Sequence, residues 1–412
     1  MKANNKNKPT TFRIDIPQTE LDDLRYRIER MRWPSDMDNE SWQYGFNREY
    51  LQELCQYWAE SYDWRKAEAE INRFPQFIAS VDDIKVHFLH VRGSGSNPTP
   101  LILHHGWPST FWDMYQLIEP LTQPELFGGN AEESFDVIIP SLPGFGFSTP
   151  LEKPCSPQLA ADTLHKLMTE TLGYSRYAAS GGDLGSRVTL QMGHKYAEYL
   201  IGIHTLGATP IDMFSNERFW DITASFIPYD APVAIRKAIL PTLTHVVSHA
   251  CVQSIEPQTL AYAMHDSPVG QLAWILQRWR DWGQTAGDLE SAFDRDFLLT
   301  TASIYWFGES FGSAARYYRN QVLHPWQASH DRSPRIEAPT GISFMGGECP
   351  PGLNLEQWLA NFKQSPAAND YNLVYSNVHE KGGHFGYVEN PEACINDLRS
   401  LFSKASLVAD IP

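Results

Sequence analysis

Between Phe12 and about Phe77, apolar side chains recur at helical spacing. Leu21, Leu24 and Ile28 fall at i, i+3 and i+7, and Leu51, Leu54 and Trp58 repeat the interval. Each set lines one face of a helix. Thr19 stands where it can cap the first of these helices. Trp33, Trp42, Trp58 and Trp64 crowd the same stretch, which reads as a helical apron packed on something larger. From Ile84 the period changes to two: Lys85-Val86-His87-Phe88-Leu89-His90-Val91 alternates like a half-buried strand. Ser94 to Pro100 is a turn, and Leu101–His104 and Phe135–Pro140 are short apolar runs that suit central strands. Helical stretches at 110–121 and 160–172 alternate with them, which predicts a mainly parallel sheet covered on both faces. From 209 to 325 the chain is rich in aromatics and helical in pattern, with Ser267-Pro268 as a clear helix start. Strand signals return at Ile342–Met345 and Tyr371–Val378. The fold class is therefore α/β. The expected division is a loose tail at 1–11, a helical lead-in at 12–80, a core at 81–208 and 326–412, and an inserted helical cap at 209–325.

Length and charge narrow the function. The chain has 412 residues, enough for one large domain with insertions or for two domains. Its formal net charge is −16, which makes nucleic acid and anionic membrane surfaces poor partners. No apolar run reaches 18 residues, and Met1–Thr11 lacks the apolar stretch of a secretory signal. Cys55, Cys155, Cys251, Cys349 and Cys394 are odd in number and show no CxxC spacing. A disulfide framework or a zinc site is not expected, and a reducing cytoplasm fits best. No cofactor is expected either.

The chemistry concentrates in glycine-flanked turns. Gly181-Gly182-Asp183-Leu184-Gly185 follows the small-residue segment Ala178-Ala179-Ser180 and leads into a helical run at 186–196. This is the pattern of a nucleophile elbow, with Asp183 where serine is usual. A carboxylate there attacks a saturated carbon and becomes the acyl half of an ester. Alone, the pentapeptide could be a glycine turn with an N-cap aspartate. His105-Gly106-Trp107-Pro108 follows the strand at 101–104, so the Trp107 and Leu184 amides can form an oxyanion hole. Downstream, Glu348 follows the strand at 342–345 and a Gly346-Gly347 turn, and Gly382-Gly383-His384-Phe385 follows the last strand. His384 suits a general base and Glu348 the acid that orients it. Asp183, Glu348, His384 is the chain order of the α/β-hydrolase triad.

At these residues the chain resembles the microsomal type of epoxide hydrolase. The likeness runs from about Phe12 to the last helix near Phe402. It rests on Arg32-Trp33-Pro34, Tyr57-Trp58, Tyr62-Asp63-Trp64-Arg65-Lys66 and Phe74-Pro75-Gln76-Phe77 in the lead-in. In the core it rests on the three glycine motifs, and in the cap on Asp266-Ser267-Pro268-Val269-Gly270. The resemblance implies an α/β-hydrolase fold with Asp183 as nucleophile, His384 as base and Glu348 as its acid. It also implies a small-molecule epoxide substrate, and the aromatic cap suggests an apolar one. The family uses two cap tyrosines to protonate the leaving oxygen. Tyr318, in Arg316-Tyr317-Tyr318, matches the second. The position of the first falls at His249 in Ser248-His249-Ala250, with Tyr229 and Tyr262 nearby but off register. Three readings stay open. His249 replaces the tyrosine and adds a pH dependence near 6.5, Tyr318 acts alone, or the site has drifted toward an unusual substrate. The membrane-bound members' anchor has no counterpart, which predicts a soluble protein; a homo-oligomer is compatible with the sequence. The rival functions are an enzyme that opens one complex natural-product epoxide, by hydrolysis or by cyclisation, a haloalkane dehalogenase, and a silent binding protein. A dehalogenase usually has tryptophan where Leu184 stands.

Overall fold

A computed structural model of the chain describes residues 8–215, 217–221 and 231–402, apart from the side chains of 235 and 238–245. Among the described residues nine strands form one sheet: β1 (Thr10–Phe12), β2 (Gln76–Val81), β3 (Ile84–Val91), β4 (Thr99–His104), β5 (Phe135–Pro140), β6 (Tyr177–Gly181), β7 (Leu200–Leu206), β8 (Ile336–Met345) and β9 (Tyr371–His379). Their order is β1-β2-β3-β5-β4-β6-β7-β8-β9. The first three pairings, β1–β2, β2–β3 and β3–β5, are antiparallel, and from β5 to β9 every pairing is parallel. Every residue of β5 and β6 is buried, as expected of largely apolar strands covered on both faces.

Three helices precede the central strands: α1 (Gln18–Glu29), α2 (Arg48–Glu60) and α3 (Trp64–Ile71). Leu24 and Ile28 of α1, and Leu51, Leu54 and Trp58 of α2, are buried, as their spacing predicts. Thr19 is not a cap; it lies inside α1, whose N-cap position is Pro17 with no side-chain bond. The true side-chain caps are Asn47 on α2 and Asp63 on α3. The sheet carries α4 (Tyr115–Thr122), α5 (Pro157–Lys166) and α6 (Leu184–Lys195). Between β7 and β8 the described residues form the cap helices α7 (Val233–Ile255), α8 (Pro257–Asp266), α9 (Pro268–Trp282), α10 (Arg295–Phe307) and α11 (Phe311–Leu323). Ser267 caps α9 by accepting from the Gly270 amide. The last helices among the described residues are α12 (Leu355–Gln364), the short α13 (Gly386–Glu389) and α14 (Pro391–Phe402).

The apron's partner is the cap. Tyr57 donates to Asp296 at 2.8 Å, Trp58 to Ser303 at 3.2 Å, and the Tyr62 hydroxyl lies 2.9 Å from that of Thr300. Trp64 packs on Phe307, 4.9 Å between centroids. Three strands escape the periodicity. β1 sits where a tail was expected through residue 11, β2 begins inside the stretch that reads as helical, and β7 has only the short run Leu200–Leu206.

Candidate active site

Asp183 occupies the sharp turn between β6 and α6, with φ 54° and ψ −124°. Positive φ is uncommon outside glycine, and Asp is among the residues that tolerate it. The turn leaves no room for side chains around it. A Cβ on Gly185 would lie 2.2 Å from the His104 carbonyl oxygen, and one on Gly106 would lie 2.5 Å from the Asp183 carboxylate. That crowding lets the Trp107 amide donate to Asp183 Oδ1 at 2.8 Å. The Leu184 amide opens α6 beside the carboxylate but makes no hydrogen bond to it. As a first-turn amide it has no partner inside the helix.

The other carboxylate oxygen, Oδ2, faces His384. Nε2 of the imidazole stands 3.5 Å away, while Nδ1 lies 2.9 Å from Glu348 Oε1. Glu348 ends a 3-10 turn immediately after β8, and the Gly347 amide donates to Gly382, joining that turn to the histidine loop. Burial pulls the imidazole pKa down, but the Asp183 and Glu348 carboxylates outweigh it and raise it to about 10. The resting site therefore holds an imidazolium between two carboxylates.

His249 and Tyr318 sit in an aromatic cage. His249 of α7 and Tyr318 of α11 are both buried, and His249 Nε2 lies 3.2 Å from the Tyr318 hydroxyl. Trp107 stacks on His249, Trp282 packs edge-on against both His249 and His384, and Phe214 packs against Tyr318. Burial pushes the Tyr318 phenol well above its usual range, with Asp183 and Tyr305 adding to the shift and Arg278 and Arg187 opposing it. Tyr318 thus stays protonated. Burial, then Arg278 and His384, hold His249 well below 6.5. This corrects the expectation of a titration near 6.5: His249 is a neutral ring throughout the physiological range. Of the two nearby tyrosines, Tyr262 is 72% exposed and faces away, and Tyr229 lies outside the described residues.

All seven residues singled out from the sequence, Trp107, Asp183, Leu184, His249, Tyr318, Glu348 and His384, meet around this one centre. Other members carried no motif. Glu389, buried in α13, accepts from the Gln284 and Phe385 amides at 2.6 and 2.9 Å and ties the histidine loop to the cap. Arg187 and Arg278 are buried with no carboxylate in ion-pair reach among the described residues. Arg187 donates to the Ile211 and Met213 carbonyls, and Arg278 to Ser248 Oγ. A void of about 20 Å³ opens beside Asp183 and His384, walled also by Ser109, Asp113 and Tyr387. That is room for one water. Among the described residues no cluster of ligating side chains could hold a metal ion.

An elbow carboxylate, a histidine and a glutamate at the ends of parallel strands, under a helical cap, define a member of the α/β-hydrolase fold. The comparisons agree and go further. Residues 9–114 match the family described as "Epoxide hydrolase N terminus", and residues 99–280 match "alpha/beta hydrolase fold". The chain is 35% identical to a Stigmatella aurantiaca (strain DW4/3-1) protein named "Putative epoxide hydrolase", over 95% of this chain and 84% of that one. It is 30% identical to Sus scrofa "Epoxide hydrolase 1", over 94% and 87%. Among solved structures, Aspergillus niger epoxide hydrolase superposes with a TM-score of 0.75 at 25% identity, over 96% of each chain. The juvenile hormone epoxide hydrolase of Bombyx mori shares the fold with a TM-score of 0.79 at 24% identity, over 98% of this chain and 96% of that one. The chain belongs to the epoxide hydrolase family.

Proposed function

We propose that this protein opens an apolar epoxide to a vicinal diol through an ester on Asp183. The observation that carries the reading is the division of the Asp183 carboxylate, with Oδ1 held by the Trp107 amide and Oδ2 presented beside His384. Oδ2 attacks an epoxide carbon, the C–O bond breaks, and Tyr318 gives its proton to the departing oxygen. His249 supports that transfer as a neutral partner of the phenol, the pair standing in for two tyrosines. Esterification cancels the Asp183 charge, one of the two that keep His384 protonated. The ring then sheds a proton, which restores Tyr318, and becomes a base.

A water in the void beside Asp183 next attacks the ester carbonyl while giving a proton to His384. The oxyanion forms toward the Trp107 and Leu184 amides, and losing one such donor typically slows a reaction by about 10²–10³-fold. As the intermediate collapses, its hydroxyl proton goes to the diol oxygen, and Asp183 returns as a carboxylate beside an imidazolium. Trp107, Phe214, Trp282 and Tyr318 line the acid side, which favours apolar substrates. The boundaries 12–80, 209–325 and the remaining core suit the three parts of the machine. The five unpaired cysteines suit the cytoplasm, and no described helix is long and apolar enough to cross a membrane.

The test is a single turnover in ¹⁸O-water with diol detection over an epoxide panel. Label should enter the Asp183 carboxylate. Label confined to the diol, with none in Asp183, would rule out the covalent route.

A further inference from the structure

A continuous line of buried hydrogen bonds starts beside the reacting groups and runs across the sheet. The Tyr387 hydroxyl lies 2.8 Å from Ser180 Oγ on β6. Ser180 Oγ lies 2.9 Å from His204 Nδ1 on β7. His204 Nε2 lies 2.8 Å from Ser343 Oγ on β8, and Ser343 donates to Asp397 Oδ2 on α14. His379 Nε2 reaches the same oxygen at 2.6 Å, while Tyr375 and Asn377 donate to Oδ1. Tyr387, Ser180, His204, Ser343 and Asp397 are all buried.

The direction of the line is fixed at its far end. Burial acts to raise the Asp397 carboxyl, but its bonds from His379, Ser343, Asn377 and Tyr375 outweigh that and hold it below its ordinary range, so it is ionised. An ionised carboxylate only accepts. Ser343 must then donate to it and accept from His204 Nε2–H. That leaves His204 Nδ1 bare to accept from Ser180, and Ser180 accepts from Tyr387. Burial keeps His204 neutral, its pKa lowered to about 4, as this tautomer needs.

The near end has a particular place in the chain. Ser180 stands three residues before Asp183, and Tyr387 stands three residues after His384. Their hydrogen bond joins the strand that carries the nucleophile to the helix that follows the base. Tyr387 also walls the one-water void that touches both.

We propose that Tyr387 and Ser180 are positioning residues for ester hydrolysis: their hydrogen bond, directed by Asp397 through His204 and Ser343, sets His384 against Asp183 and the void between them. The proposal rests on the covalent reading above. It predicts a split between the two chemical steps. Attack by Asp183 needs its own elbow and the cap donors, whereas hydrolysis needs His384, the water and the ester in register. A displacement of about 1 Å can slow a step by about 10²-fold.

Rapid-quench single turnovers with mass detection of the ester separate the steps. Tyr387→Phe and Ser180→Ala should each slow ester hydrolysis by about 10–100-fold and leave ester formation within about twofold. The double variant should be no slower than either single one, because both remove the same bond. Ser180→Thr, which keeps a hydroxyl, should restore hydrolysis and guards against a folding artefact in the others. Unchanged hydrolysis in both single variants, multiplying effects in the double one, or loss of hydrolysis in a folded Ser180→Thr would each overturn the proposal. If no ester forms even in the wild-type protein, the Asp183 reading fails and takes this proposal with it.

Discussion

The Trp107 indole lies flat on the His249 imidazole, with centroids 4.9 Å and planes 8° apart, while the Trp107 amide donates to Asp183 Oδ1. One residue thus touches Asp183, the proposed nucleophile, through its backbone and the proposed acid pair through its ring. In the proposed ring opening both partners are thereby held to a common reference.

That relationship gives a prediction for His249. His249→Ala removes the partner of Tyr318 and one face of the stack, so ester formation should slow by about 10–100-fold, within the range for a positioned proton-transfer group. Ester hydrolysis should stay at the wild-type rate. Because His249 is held neutral by burial, Arg278 and His384, it should add no inflection near pH 6.5 to the rate of ester formation. An unchanged rate in His249→Ala, measured by single turnover, would remove His249 from the acid machinery.

His384→Gln should separate the steps in the opposite sense. The amide cannot take a proton from water, so the alkylated protein should accumulate and be visible as a mass increase equal to the substrate. Ester formation should persist at a measurable rate. Failure to trap any adduct, with a substrate that the wild-type protein turns over, would argue against His384 as the base.

Stability should carry the mark of the imidazolium. Its pKa is 6.5 unfolded and about 10 folded, so the folded state binds that proton more tightly. The resulting stabilisation is fully present below pH 6.5 and disappears as pH rises through about 10. Urea unfolding of wild type and His384→Gln at stepped pH should show their difference in stability largest below 6.5 and fading toward 10. A difference that grows with pH would contradict the paired arrangement of His384 with Asp183 and Glu348.

Gly106→Ala tests the crowding at the elbow. The new methyl would sit 2.5 Å from the Asp183 carboxylate, so either the loop or the nucleophile must shift. We expect a loss of about 1–3 kcal/mol of stability, as for overpacked interiors, with ester formation reduced far more than thermal stability alone explains. Calorimetry beside a single-turnover assay checks both.

The parts legible in the sequence share a physical origin. Leu24, Leu51 and Trp58 announced their helices because one face must be buried. β5 announced itself because both faces are. Asp183, Glu348 and His384 were legible because reactive groups need sharp turns at strand ends, and glycine marks such turns. β7 hid because its seven residues include two polar ones, Thr205 and His204, and the His204 ring is satisfied only by Ser180 and Ser343, far along the chain. Glu389, Arg187 and Arg278 hid for the same reason. Each is a charge on an otherwise apolar helical face, and only the folded chain reveals what surrounds it. Counting from Asp266 pointed to His249, which lies against Tyr318, yet its charge state depends on burial and on Arg278, neither of which the sequence displays.

The bonds from Tyr57, Trp58 and Tyr62 to α10 have a further consequence. The helix they brace from outside, α10, carries Tyr305, which adds to the upward shift of the Tyr318 phenol. Changes in selectivity can therefore arise at the back of the cap, where Asp296, Thr300 and Ser303 meet the first helices, with the pocket lining untouched. A variant library aimed there would act on Tyr318, the proposed acid, as a tuning peg acts on a string, from the end remote from the note.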